Sequence, residues 1–218
     1  MISFNKNLFC ILINILAILH SIIAVSVNKE SLKCVEAINY YEGRYSIPKG
    51  LLHSISIVES GRLDEVEKKI YPWPWAVNVE GAPYYFNDEQ SAIHFVRTKL
   101  AAGVKSIDVG CNQISLLHHG KNFPSLNHAF NPYHNSRYAA EFLQSNYNES
   151  KNWFTAVGWY HSKTASLSRQ YSQRVHKVWK GFVGSYKEIK THSKQKVTQF
   201  NISNKAKRKE KSIIFMKR

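Results

Sequence analysis

The sequence predicts a mainly α-helical domain of about six helices, interrupted by one small aromatic-rich loop or hairpin insertion. Three observations predict it. Apolar residues recur at helical spacing in separated segments from Lys29 to Phe182. The stretch YPWPWAVNVEGAPYYF, residues 71–86, breaks that period with prolines at 72, 74 and 83 and with Gly81. A hydrophobic content of 44% over 218 residues allows one ordinary core with extensions at the ends.

The first extension comes at once. Residues 8–19, LFCILINILAIL, form an apolar run after Lys6, and Ala24-Val25-Ser26 supplies the small-x-small pattern of a signal-peptidase site. Residues 1–26 therefore read as a secretory signal, although the apolar stretch also has the length of an uncleaved membrane anchor. Either reading exports the remainder. Thiols pair in an oxidising compartment, and with Cys10 inside the signal, Cys34 and Cys111 remain as an even count. One disulfide is expected between them, with two buried free thiols as the alternative.

In KESLKCVEAINYY, Leu32, Val35, Ala37 and Ile38 fall at near-helical spacing and predict a first helix. Gly43 and Pro48 break it. Pro48 suits the first turn of a second helix and Gly61 its left-handed exit, giving a helix over residues 48–60. After the aromatic insertion, Asp88 suits the cap of a third helix, with Ala92, Val96 and Leu100 on one face and Gly103 at its end. DVGCNQIS reads as a short extended or turn segment. SRYAAEFLQSNY then turns Tyr138, Ala139, Phe142 and Leu143 inward, and WFTAVGWYHS places Trp153, Ala156, Val157 and Tyr160 on one face. A last helix, SLSRQYSQRVHKVWKGF, carries Leu167, Tyr171, Val178 and Phe182 along its stripe. The domain so defined spans residues 27–184.

Residues 185–218 are different in kind. They hold eleven Lys and Arg against Glu188 and Glu210, so the net charge of +15 belongs mainly to this tail. Polar composition without apolar periodicity predicts a disordered arm. A docking arm for an anionic wall or membrane surface is the second reading, and no nucleic-acid role is assigned.

The most informative residue lies in LLHSISIVESGR. At 100° per residue, Leu52, Ile55 and Glu59 share one stripe, with Leu51 and Val58 beside it, so a carboxylate falls where the pattern reserves an apolar position. Burial raises the pKa of such a group unless a cation pairs with it. Arg62 is the candidate cation, and a Glu59–Arg62 helix-end pair without chemistry is the structural alternative. The functional reading is an acid kept protonated near neutral pH to donate a proton, as glycoside cleavage requires.

At this point a resemblance enters. IPKGLLHSISIVESGR resembles the catalytic helix of the lytic transglycosylase SLT domain family, which ends in Glu-Ser, here Glu59-Ser60. The family's Gly-x-x-Gln turn is matched by Gly110-Cys111-Asn112-Gln113, and its tyrosine element by AVGWYHS with Tyr160. The resemblance covers residues 31–182. There are departures: a longer link between the first two motifs, Asn112 where methionine is usual, and His161-Ser162-Lys163 where Asn-Ala-Gly is usual.

The resemblance implies a lysozyme-like helical fold, related to goose-type lysozyme. It also implies cleavage of the β-1,4 bond between N-acetylmuramic acid and N-acetylglucosamine in peptidoglycan, with a 1,6-anhydro product. Glu59 is the implied single general acid and base. Ser60, Asn112, Gln113 and Tyr160 are the implied substrate contacts, Tyr160 toward Glu59 or the sugar. From residue chemistry alone, Trp75 and Tyr85 suit sugar-ring stacking, with a small insertion core as the equal alternative for the aromatics. Asp108, the only acid besides Glu59 inside these motifs, reads as a turn or cap residue, with a direct role as the lesser alternative. No metal and no cofactor are assigned, since no histidine spacing resembles a metal site. Two other functions stand beside the first: a lysozyme-type hydrolase, and a non-catalytic glycan-binding assembly factor. The implied partners are peptidoglycan strands and, by size and resemblance, a secretion or conjugation machine that crosses the wall. The expected location is the periplasm or cell envelope.

Overall fold

The computed structural model describes residues 29–184, divided into a unit that ends at Val178 and the start of a second from Trp179. Of the second unit, residues 179–184 are described and are helical. The signal expected at 1–26 and the disordered tail expected at 185–218 lie outside the described residues. No described helix is long and apolar enough to cross a membrane.

The first unit is mainly helical, with two small antiparallel sheets. Helix α1 covers residues 29–44 and buries Ser31, Cys34, Ala37, Ile38 and Glu42. Leu32, expected inside, is 43% exposed. The bond from Cys34 to Cys111 turns the cysteine stripe inward instead. Glu42 closes the next helix from outside its own sequence. Its carboxylate accepts from Gly50 N at 2.8 Å and His53 N at 3.0 Å, neutralising the orphan donors at the start of α2, Leu51–Ser60. Gly50 has φ 80, so Pro48 belongs to a turn that precedes the helix and not to its first turn.

Gly61 is needed for a reason other than the expected left-handed exit. Its φ is −57°, an ordinary value, but an added Cβ would lie 2.3 Å from the Ile57 carbonyl oxygen and 2.8 Å from Ile70 Cγ2. It starts β1, Gly61–Asp64, which pairs antiparallel with β2, Lys69–Pro72. Asp64 holds the connection by accepting from Val66 N and Glu67 N.

The second sheet has strand order β4-β3-β5-β6, with β3 Ala76–Val79, β4 Ala82–Tyr85, β5 Ile107–Val109 and β6 Ile114–Ser115. The aromatic insertion is thus a hairpin, and its turn places Glu80 at φ 52 and Gly81 at φ 91, the primed geometry that suits strand twist. The same sheet takes in both arms of the Gly110–Gln113 turn. Helix α3, Glu89–Ala101, is capped by Asp88, which accepts from Ser91 N at 2.8 Å. Its Ala92, Ile93 and Val96 share one core with Trp73, Trp75, Val77, Ile107, Val109 and Phe130. Leu100, in its last turn, is 42% exposed.

Short helices α4, Leu116–His119, and α5, Leu126–Phe130, lead to the long α6, Pro132–Ser150. Asn131 caps α6 through Tyr133 N and His134 N with Pro132 at the first position, so it starts ahead of the apolar pattern. Helix α7, Trp153–His161, follows, and residues 165–178 form α8. Gly158 permits close contact of α7 and α8, since a Cβ there would lie 2.1 Å from Ser168 Oγ. That contact rotates α8 away from the expected stripe: Ser168, Tyr171, Ser172 and Val175 are buried, while Leu167 is 45% exposed.

Candidate functional site

The apolar face of α2 seats the helix, with Leu52 and Ile55 fully buried, and carries Glu59 to a cleft of about 140 Å³. Asp108 enters this cleft from β5, Gln113 to Ser115 from the turn and β6, and His118 and His119 from α4. Phe142 on α6 and Tyr160 and His161 on α7 complete the lining.

Glu59 is half-buried, with its exposed part toward the cleft and its carboxyl largely out of water. Burial pushes it up from the ordinary 4.5 to about 7, and the negative charge of Asp108 adds to the rise. A hydrogen bond from Tyr171 and the charge of Arg174 oppose it. Tyr171 Oη donates to Glu59 Oε1 at 2.5 Å. Arg62 does not pair with it. Its guanidinium lies over the Trp73 ring, 4.6 Å from the centroid, and among the described residues no ion pair reaches Glu59.

Beside the acid stands the Gly110–Gln113 turn, held from every side. Cys111 is bonded to Cys34 with S–S 2.04 Å. Ser60 Oγ donates to the Cys111 carbonyl at 2.6 Å and Tyr160 Oη to the Asn112 carbonyl at 2.9 Å. The buried side chain of Asn135 accepts from both Asn112 N and Asn112 Nδ2, and donates to the Val109 and Ala129 carbonyls. Gly110, at φ 83, packs so close to Asn135 that a Cβ would sit 2.5 Å from Nδ2. Gln113, at φ 45, donates from Nε2 to the Ala76 and Gly110 carbonyls, which fixes the amide and leaves Oε1 uncommitted.

The residues named from sequence therefore divide. Glu59, Gln113 and Tyr160 meet at the cleft, with the tyrosine bond to Glu59 coming from Tyr171 and not from Tyr160. Ser60 and Asn112 are both fully buried and do not line the cleft. Ser60 ties α2 to the turn and to Trp73 N, and Asn112 exchanges its amide with Ser56, Asn135 and Ser136. Trp75 is 4% exposed, packs on Phe130 and donates to Glu30 Oε2, so it belongs to the core. Tyr85 is exposed at 44%, but it lies on β4 and does not line the cleft. Asp108, read as a turn residue, does line it, and burial raises its pKa.

Sequence reading assigned no part in the site to Tyr171 and Asn135, nor to His118 and His119 of the cleft wall. Tyr171 lay on a predicted inward stripe, yet no pattern in the sequence says that a buried tyrosine meets a glutamate 112 positions away. Among the described residues, no cluster of His, Cys, Asp and Glu is placed to hold a metal.

A mainly helical domain with two small sheets, a desolvated glutamate in the last turn of one helix and a braced glycine-to-glutamine turn beside the same cleft fits the lysozyme-like class. The family model for the Transglycosylase SLT domain matches residues 36–207, and the chain belongs to that family. No curated protein and no solved structure matches it. Membership carries a glycan-cleaving role of the lytic transglycosylase type, on peptidoglycan.

Proposed function

We propose that this protein is an exported lytic transglycosylase that cleaves the bond between N-acetylmuramic acid and N-acetylglucosamine, with Glu59 as its single acid and base. The observation that carries the reading is the Glu59 carboxyl, held to about pKa 7 at the cleft without an ion-pair partner among the described residues. In the first step the protonated Glu59 carboxyl gives its proton to the glycosidic oxygen while the bond from that oxygen to the anomeric carbon breaks. In the second, the muramyl 6-hydroxyl oxygen bonds to the anomeric carbon and its proton returns to Glu59. No water is consumed, and the enzyme ends as it began. Gln113 Oε1 is suited to accept from a sugar hydroxyl or N-acetyl N–H. Glu59→Gln keeps the shape and removes the proton. It is expected to release muropeptides at least about 10²-fold more slowly than the parent; release at the parent rate contradicts the assignment.

A second reading, hydrolysis of lysozyme type, has one observation in its favour: Asp108 lines the same cleft as Glu59 and offers a second carboxyl group. Asp108→Asn separates the two. It leaves a single-acid transglycosylase active and abolishes a two-carboxylate hydrolase. The leader at 1–26 supports a site of action in the periplasm or cell envelope, and the size of the domain is compatible with service to a wall-crossing secretion machine. A non-catalytic glycan-binding role predicts binding without turnover in the same assay.

A further inference from the structure

His161 stands where the family resemblance expects asparagine, and the mechanism above leaves it without a task. It is the last residue of α7, is exposed and lines the cleft with Glu59. Its imidazole lies flat on the Tyr171 ring, with centroids 4.9 Å apart and planes 9° from parallel. Tyr171 is 1% exposed and donates to Glu59 Oε1. A chain of contact thus runs from the cleft surface to the acid.

We propose that His161 is a positioning residue, a neutral ring that seals the Tyr171–Glu59 hydrogen bond from water and so holds the acid in its protonated, aimed state. This rests on the function proposed above. The physics is direct. Water reaching the carboxyl favours the charged form, so removal of the cover lowers the pKa of Glu59. The cover works only while uncharged, because an imidazolium here would favour ionised Glu59 and oppose an oxocarbenium-like transition state. Desolvation of the face stacked on Tyr171, and then the charge of Arg174, hold the otherwise exposed His161 below its ordinary value, in favour of the neutral ring. The groups facing Glu59 are Tyr171 and Arg174 from α8, Asp108 from β5, and Tyr160 and His161 from α7. His118 of α4 faces Asp108.

The test uses His161→Ala, His161→Asn and His161→Phe, each checked for folding by its melting transition. Two readouts are followed against pH: muropeptide release, and the Glu59 carboxyl signal in carbon NMR, which needs no activity. Ala and Asn are expected to lower the Glu59 midpoint from about 7 toward 4.5 by at least about half a unit, a loss of at least about threefold in protonated acid well above the midpoint. Phe, which keeps a flat ring, is expected to restore it. A folded Ala or Asn variant with the parent midpoint overturns the proposal, as does a Phe variant that behaves like Ala. Failure of Glu59→Gln to slow release would overturn the proposed function instead, while the carboxyl titration would still decide the role of His161.

Discussion

Glu59 ties folding to chemistry through one proton. Its folded pKa of about 7 lies above the ordinary 4.5, so between these values the folded state holds a proton that the unfolded state releases. The sign follows: this contribution to stability is fully present below 4.5 and is lost as pH rises through about 7. Glu59→Gln, which cannot ionise, is expected to flatten that part of the stability curve. Above pH 7 it should be more stable than the parent by up to about 3 kcal/mol, measured by urea unfolding across the window. Parallel curves for parent and variant would show that the carboxyl is not desolvated. Under the proposed function the same proton also governs the rate, and cleavage should fall as pH rises through the Glu59 midpoint. This is a price of catalysis that the apolar stripe of α2 makes visible in the sequence, since a carboxylate on that stripe has no packing purpose. The inward face of Tyr171 was legible too, but its meeting with Glu59 was not, because the two lie 112 positions apart and come together only through the packing of α8.

At the scale of elements, the turn that faces the acid is fixed by contacts from α1, α2, α6 and α7, through Cys34, Ser60, Asn135 and Tyr160. Replacing Cys34 and Cys111 together by serine is expected to cost about 2–5 kcal/mol and to lower cleavage at temperatures where the chain is still folded. Thermal melting beside an activity assay checks it, and unchanged activity below the melting transition would show that the turn does not depend on α1. The elements also show where sequence reading stopped. Helical segments with strong apolar periodicity, such as α2, α6 and α7, were legible, and Asp88 marked the start of α3. The β1–β2 hairpin was not, because RLDEVEKKIY is charged and mostly exposed, without the alternation that marks a strand. Ser60 and Asn112 were placed at the substrate by resemblance. Burial makes them braces of the turn instead, which no spacing in the sequence distinguishes from a contact.

For the whole molecule, the charge lies apart from the cleft in sequence, concentrated in residues 185–218. If this tail docks the protein on an anionic wall or membrane, removal of residues 185–218 is expected to lower sedimentation with isolated envelopes at low salt and to have little effect at high salt, where screening acts within about 8 Å or less. Equal sedimentation of both chains at low salt would remove the docking role. The family and the mainly helical class were legible because three motifs occur in a fixed order around one misplaced carboxylate. The central claim, that one acid cleaves the strand without water, is tested most directly by the mass of products released from purified peptidoglycan in water enriched in heavy oxygen. Attack by the muramyl 6-hydroxyl gives 1,6-anhydro ends that carry no label; reducing ends that carry it would show attack by water instead.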